Sequence, residues 1–279
     1  MNRAFRVFIL GGATALLIST LTSCTTSATG RRQFNMVSTE QETQLGLTAF
    51  EEMKKETPIS KDTKANEMVA RVGRKIAEQA KDRMPNAQWE FVVFDSPEAN
   101  AFCLPGGKIG VYTGLLPIAN GEAGLATVIG HEVAHAANHH GGERMSQAQA
   151  VETGTKLIGS AVNEKYSAVT MVALGGLGKV GIELPYSRLQ ETEADHVGLL
   201  YMAKAGYDPE EAVRFWERFS ASHKGQSGGF ELLRTHPVDE KRIADLKKLM
   251  PEAKSVYRGG KGTAPTSSGA TSGSTVISR

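Results

Sequence analysis

Two histidines and a glutamate set inside one apolar helix constrain this chain more than any other feature. Residues Asn120 to His140 read as a helix in which Leu125, Val128, Ile129 and Val133 form the buried side. Within it stands His131-Glu132-Val133-Ala134-His135. Side chains four residues apart lie one turn apart on the same face, so both imidazoles project together. They can reach a single tetrahedral Zn²⁺, one per chain, with Glu132 close enough to take a proton from an attacking water. Two ordinary core histidines would leave Glu132 unexplained, because an unpaired carboxylate on a buried helix is costly. A bound cation removes that difficulty.

A third protein ligand has to come from elsewhere. Asn138 and Gly141 stand where an extended HExxHxxGxxH pattern needs its glycine and last histidine. His139 lies about 12 Å along the helix from His131 and cannot share its ion. A second helix, Ser187 to Ala205, carries Glu191-Thr192-Glu193-Ala194-Asp195. Glu191, Ala194, Asp195 and Gly198 fall on one face. The first helix has small residues to meet it at Gly124, Thr127, Ala134 and Asn138. This favours Glu191 as the third metal ligand, with Asp195 placed to accept a hydrogen bond from a liganding histidine's other nitrogen. Glu193 projects from a different side, with Val197 and Leu200, and needs solvent or its own partner, such as Arg188.

The ends bear on location. Arg3 and Arg6 precede an apolar run from Val7 to Leu17, and Leu21-Thr22-Ser23-Cys24 closes the segment. This reads as an export signal over 1–23 with Cys24 as a lipidation site, because the cysteine falls where cleavage belongs. The apolar run is short for a membrane span. Without Arg3 and Arg6 the chain holds 30 basic and 30 acidic residues, which gives a polyanion such as nucleic acid nothing to recognise. Cys103 is the only other cysteine, so a disulfide framework is excluded if Cys24 carries lipid; Cys103 reads as a small buried hydrophobe. Residues 24–36 are polar and read as a lipid-anchored tether, and 258–279, rich in Gly, Ser and Thr, as a disordered tail. The folded domain expected is 37–257. Helices expected at 39–55, 66–84, 209–222 and 238–250, with strands at 89–94 and 108–112, make it a helix-rich α+β domain.

The residues together resemble the HtpX-like zinc metallopeptidases (metallopeptidase family 48), in particular a bacterial lipoprotein branch. The resemblance rests on Asn100-Ala101-Phe102, Pro105-Gly106-Gly107, Gly114-Leu115-Leu116, the HEVAH segment, Glu191 to Asp195, and Thr235-His236-Pro237. It implies a gluzincin fold, endopeptidase activity and quality control of outer-membrane or periplasmic proteins. The substrates would be unfolded or misassembled envelope proteins, and the membrane would be met through the lipid. Thr25, rather than an aspartate, follows Cys24, which by analogy with enterobacterial sorting suggests the outer membrane. The helical repeats of some members and the several membrane spans of others are not evident in this sequence.

His236 resembles the family's late histidine, which lies near the metal and either masks it or stabilises the transition state. Preceding Pro237, it also reads as the N-terminus of the last helix, where the dipole favours a neutral ring. Gly176 to Gly181 matches GxGxxG, but no strand–turn–helix frames it, so no nucleotide cofactor is expected. Ala168 to Leu184 reads as an apolar lid or plug near the cleft. For an extended substrate, Lys108 to Tyr112 or a strand beside it offers backbone pairing. The competing class is an envelope chaperone or assembly factor with a masked protease site.

Overall fold

The computed structural model describes residues 24–159, 187–222, 232, 235–236 and 240–257. The expected export signal, the apolar stretch 168–184 with its glycine motif, and the tail 258–279 lie outside these. Seven helices of two turns or more are described: α1 (Thr39–Glu56), α2 (Thr63–Ala80), α3 (Glu122–Ala137), α4 (His140–Gly159), α5 (Arg188–Lys204), α6 (Glu210–Ala221) and α7 (Glu240–Val256). The strands are β1 (Cys24–Thr26), β2 (Arg32–Phe34), β3 (Glu90–Phe94), β4 (Ala101–Leu104) and β5 (Lys108–Tyr112). This is the helix-rich α+β arrangement that the sequence periodicity predicts.

Helix α3 lies at the centre, buried from Gly124 through Ala137. It packs between α2, α5 and the sheet, and α6 seals one side with Phe215, Trp216 and Phe219. Its closest neighbour is α5. A Cβ on Gly130 would lie 2.8 Å from Gly198 O, and one on Gly198 would lie 2.8 Å from His131 N. Both positions are therefore restricted to glycine by the closeness of the two backbones. The small face was expected at Gly124, Thr127, Ala134 and Asn138, but the crossing point is Gly130, while Gly124 packs on Ala119. Capping fixes where α5 begins. Ser187 Oγ accepts from Gln190 N, and Gln190 Oε1 accepts from Ser187 N, which satisfies two otherwise orphaned amides.

Three strands form the main sheet in the order β3-β5-β4, with β3 parallel and β4 antiparallel to β5. Both edges of β5 are thus taken, and Lys108 to Tyr112 cannot pair with a substrate. The adjacent strand β4 has no strand on its outer edge among the described residues.

Two further expectations are corrected. The HEVAH helix does not run to His140. It breaks earlier, at Asn138 and His139, where His139 takes a left-handed φ of 54° and its ring pairs with Glu42 at 2.7 Å. Gly142 then lies inside α4, where a side chain would strike the Glu42 carboxylate. Residues 24–36, expected as a tether, instead form the β1–β2 hairpin, in register Cys24 with Phe34. Ser27, Gln33 and Asn35 are buried despite their polarity. They are held by hydrogen bonds into the domain: Ala28 N–H donates to Asn138 Oδ1 at 2.7 Å and Gln33 Nε2 to Asn138 O at 2.6 Å. Composition marks such a segment as unable to bury apolar surface, but not as unable to satisfy polar groups inside a fold.

Candidate metal centre

Helix α3 presents His131 and His135, and α5 faces them with Glu191. The Nε2 atoms of the two histidines stand 3.1 Å apart. Glu191 Oε1 lies 3.3 Å from His135 Nε2, and Glu191 Oε2 lies 3.5 Å from His131 Nε2. His236 arrives from the other side, with Nδ1 3.2 Å from His131 Nε2 and 2.8 Å from Glu191 Oε1. Its amide donates to Leu232 O at 2.8 Å, a bond of helical spacing. One donor atom from each of these four buried residues lies within 4.8 Å of the others.

The donor set fits zinc. Nitrogen and oxygen ligands at about 2.0–2.1 Å around a tetrahedral ion stand about 3.3 Å apart, which is the spacing found here. Imidazoles and one carboxylate match the preference of this borderline ion. Glu132 Oε1 and Glu191 Oε2 are buried without a hydrogen bond, and such atoms call for a partner. Glu191 Oε2 does have Arg242 Nη1 at 2.8 Å, an ionic contact without hydrogen-bond alignment. The field also favours positive charge: burial would lower the His131 pKa, yet Glu191 and Asp195 carry it up to about 9. Burial, joined by the neighbouring His131 and His140, pulls His135 well below the usual histidine range against the pull of Glu191, leaving it a neutral donor.

Burial acts in the opposite sense on Glu132 and raises its carboxyl above the usual range; His236 and His131 oppose this only in part. His236 Nε2 is 3.4 Å from Glu132 Oε1. Burial also works to raise Glu191, but His236, Arg242 and His131 hold it well below the ordinary value. The two carboxylates, both beside the His236 ring, are thus shifted in opposite directions.

Around this cluster lies a second set of contacts. Asp195 Oδ1 is 3.1 Å from His131 Nδ1, so that ring donates through Nδ1 and leaves Nε2 for the metal position. Arg242 forks onto Asp195 at 2.7 and 2.8 Å, with its guanidinium 4.0 Å from the Trp216 ring. On the other histidine, His135 Nδ1 is 2.8 Å from His140 Nδ1, and His140 Nε2 is 3.2 Å from Glu193 Oε2. Glu193 is buried, and Arg31 pairs with it at 2.7 Å.

Sequence reasoning missed Arg242, His140 and Arg31. Arg242 sits among Glu240, Lys241 and Asp245, where a charge run reads as a solvated face. His140 looks like a helix terminus, and only the break at His139 turns its ring back toward His135.

A cleft opens beside Glu132, His135 and His236. Its walls include the whole of β4, with Phe102 and Leu104, and Leu45, Ala49 and Met145 from the helices. Leu45 is 53% exposed because it stands at this mouth. Cys103 lines the same wall, and burial with Glu132 nearby raises its thiol pKa. The arrangement can hold an extended chain against an open strand edge, with a zinc-binding set and a proton-exchanging carboxylate beneath it.

Comparison with known proteins agrees with this geometry. The profile of Peptidase family M48 matches residues 63–250, a span holding His131, Glu132, His135, Glu191 and His236. The chain is 35% identical over 232 residues to "Mitochondrial metalloendopeptidase OMA1" of Schizosaccharomyces pombe, covering 80% of this chain and 65% of that protein. It is 36% identical over 176 residues to the Saccharomyces cerevisiae protein of the same name, covering 61% and 49%. A "Putative beta-barrel assembly-enhancing protease" of Vibrio cholerae is 27% identical over 214 residues, covering 75% and 44%. The chain therefore spans less than two thirds of the length of each of these relatives. A matched profile over most of the folded part, with the buried zinc-binding cluster inside it, places this chain in peptidase family M48.

Proposed function

We propose that this protein is a zinc endopeptidase of the bacterial cell envelope that cleaves unfolded or misassembled envelope proteins. The observation that carries the reading is the buried set His131, His135 and Glu191 with Glu132 beside it. His131, His135 and Glu191 would hold the ion, and zinc, when bound, supplies Lewis-acid polarisation of water and of the scissile carbonyl. Glu132, its pKa raised by burial, takes the proton of the attacking water and returns it to the leaving amine. Asp195 and His140 keep the two imidazoles in one tautomer and orientation. The open edge of β4 pairs with the substrate backbone, which asks for an extended and hence unfolded segment.

For location, support comes from Arg3, Arg6 and the Leu21 to Cys24 pattern, and from similarity to the Vibrio cholerae protease. The more similar OMA1 proteins are mitochondrial by name. Membership of the HtpX-like lipoprotein branch is therefore part of this proposal. No helix among the described residues is long and apolar enough to cross a membrane, so a lipid on Cys24 is the proposed contact, with the outer membrane as its site. Because β1 begins at Cys24, the acyl group would attach to the folded domain itself and hold the cleft near the bilayer. Export of the native protein with uptake of labelled palmitate tests this. A soluble, unlabelled product refutes it.

A second reading, an assembly factor whose protease site is masked, is favoured by one observation: His236 Nδ1 stands within the zinc-binding set. Casein degradation by the purified protein, with and without chelator, separates the two. Chelator-sensitive cleavage supports the peptidase. No cleavage by zinc-loaded protein, native or lacking the His236 ring, rejects it.

A further inference from the structure

The N-terminal hairpin reaches further into the molecule than an anchor needs. Its turn brings Ser27, Thr29 and Arg31 onto one carboxylate, Glu193. Ser27 Oγ donates to Glu193 Oε1 at 2.5 Å, Thr29 Oγ1 donates to the same oxygen, and Arg31 Nε donates to Oε2 at 2.7 Å. The other end of the Arg31 guanidinium forks onto Glu143 at 2.7 Å through each terminal nitrogen. Glu143 also accepts from Gln190 Nε2 at 2.9 Å and Gln33 Nε2 at 3.3 Å. Both carboxylate side chains are only 4% exposed. Three separate stretches of chain, the hairpin, α4 and α5, therefore meet on one guanidinium.

Glu193 does not end this network. Its Oε2 is the acceptor for His140 Nε2 at 3.2 Å, and His140 Nδ1 lies 2.8 Å from His135 Nδ1. Only one placement of protons satisfies the series. With His135 Nε2 turned to the metal position, its Nδ1 carries hydrogen and donates to His140 Nδ1. The hydrogen of His140 is then on Nε2, aimed at Glu193. The second imidazole of the centre is thus oriented through another imidazole, whose own orientation depends on a glutamate held by the hairpin. His131 is held more directly, with Asp195 Oδ1 against its Nδ1.

We propose that the hairpin is a positioning arm of the metal centre: Arg31 with Ser27 fixes Glu193, Glu193 fixes His140, and His140 orients His135. The inference rests on the zinc reading above and assigns Arg31, Glu193 and His140 as positioning residues. Contacts of this kind alter metal affinity by roughly 10–100-fold when removed.

The test uses the chain from Cys24 onward, with Arg31→Ala, Glu193→Gln and the double variant. Zinc dissociation constants are measured by competition with a chromophoric chelator, cobalt-substituted protein is examined by visible absorption, and apo-protein folding is followed by circular dichroism. Each single variant is expected to weaken zinc roughly 10–100-fold and to alter the cobalt bands, with the double variant no weaker than the worse single one, since both act along one path. Arg31→Ala strands two buried carboxylates; if it fails to fold, Glu193→Gln, which adds no unpaired charge to His140, decides. A folded Glu193→Gln protein with an affinity within about threefold of native and an unchanged cobalt spectrum overturns the proposal. A native chain that binds no metal at all would instead remove the zinc reading on which it stands.

Discussion

His236 Nδ1 stands 2.8 Å from Glu191 Oε1, closer than either histidine of the HEVAH segment approaches that carboxylate. The late histidine therefore stands inside the zinc-binding set, and the masked-site reading proposed above makes it a cover over the metal position. His236→Ala should leave zinc bound, since His131, His135 and Glu191 remain, and should raise basal cleavage of casein. If cleavage instead falls about 10²-fold or more, the ring serves as an oxyanion donor.

Glu132 Oε1 accepts no hydrogen bond and has only the His236 ring near it, at 3.4 Å, while burial raises the carboxyl above its ordinary range. Glu132→Gln should keep the fold and one zinc per chain while abolishing peptidase activity, because the shape is retained and the base is lost. Cleavage by the pure, zinc-loaded variant would show that another group moves the proton.

The carboxylates of α5 differ in distance from the metal position, and their variants should separate accordingly. Glu191→Gln should lose zinc and activity together, as one of three protein ligands is removed. Asp195→Asn should weaken zinc roughly 10–100-fold. Glu193→Gln should remain stoichiometric when zinc is in excess. Atomic emission on purified, folded variants reads all three. Zinc retained by Glu191→Gln and missing from Glu193→Gln would reverse the assignment.

Arg242 is the buried cation that neutralises both Glu191 and Asp195. Truncating one partner of a buried pair leaves uncompensated charge and typically costs about 3–5 kcal/mol. Arg242→Ala should lower the urea midpoint of the apo protein strongly. A midpoint close to native would mean that water reaches and solvates these carboxylates.

The closeness of α3 and α5 can be tested without touching a ligand. Gly198→Ala places a methyl 2.8 Å from Gly130 C, and overpacking of this order costs typically about 1–3 kcal/mol. The helices must separate, which moves Glu191 away from His131 and His135. Reduced stability with weakened zinc is expected. Native zinc affinity in this variant would show that the helices need not touch.

Much of the centre was legible in the sequence because a helix is a local object. Spacing of four residues aligns His131 with His135, and the face shared by Glu191, Ala194, Asp195 and Gly198 follows from the same 3.6-residue period. Those relations hold wherever the helix is placed. What the periodicity could not supply was the contact made across the fold. Arg31 meets Glu193 across 162 positions and Arg242 meets Asp195 across 47, and no local rule links such pairs. Polar composition likewise suggested that 24–36 would remain outside the domain, whereas buried carboxylates on α4 and α5 give that segment a place to bind. The chemical elements of the site were thus fixed by helical geometry in the chain itself. Which charges neutralise them and which ring stands against His135 were decided only in the tertiary structure, because a buried charge finds its counter-charge by proximity in space and not by distance along the chain.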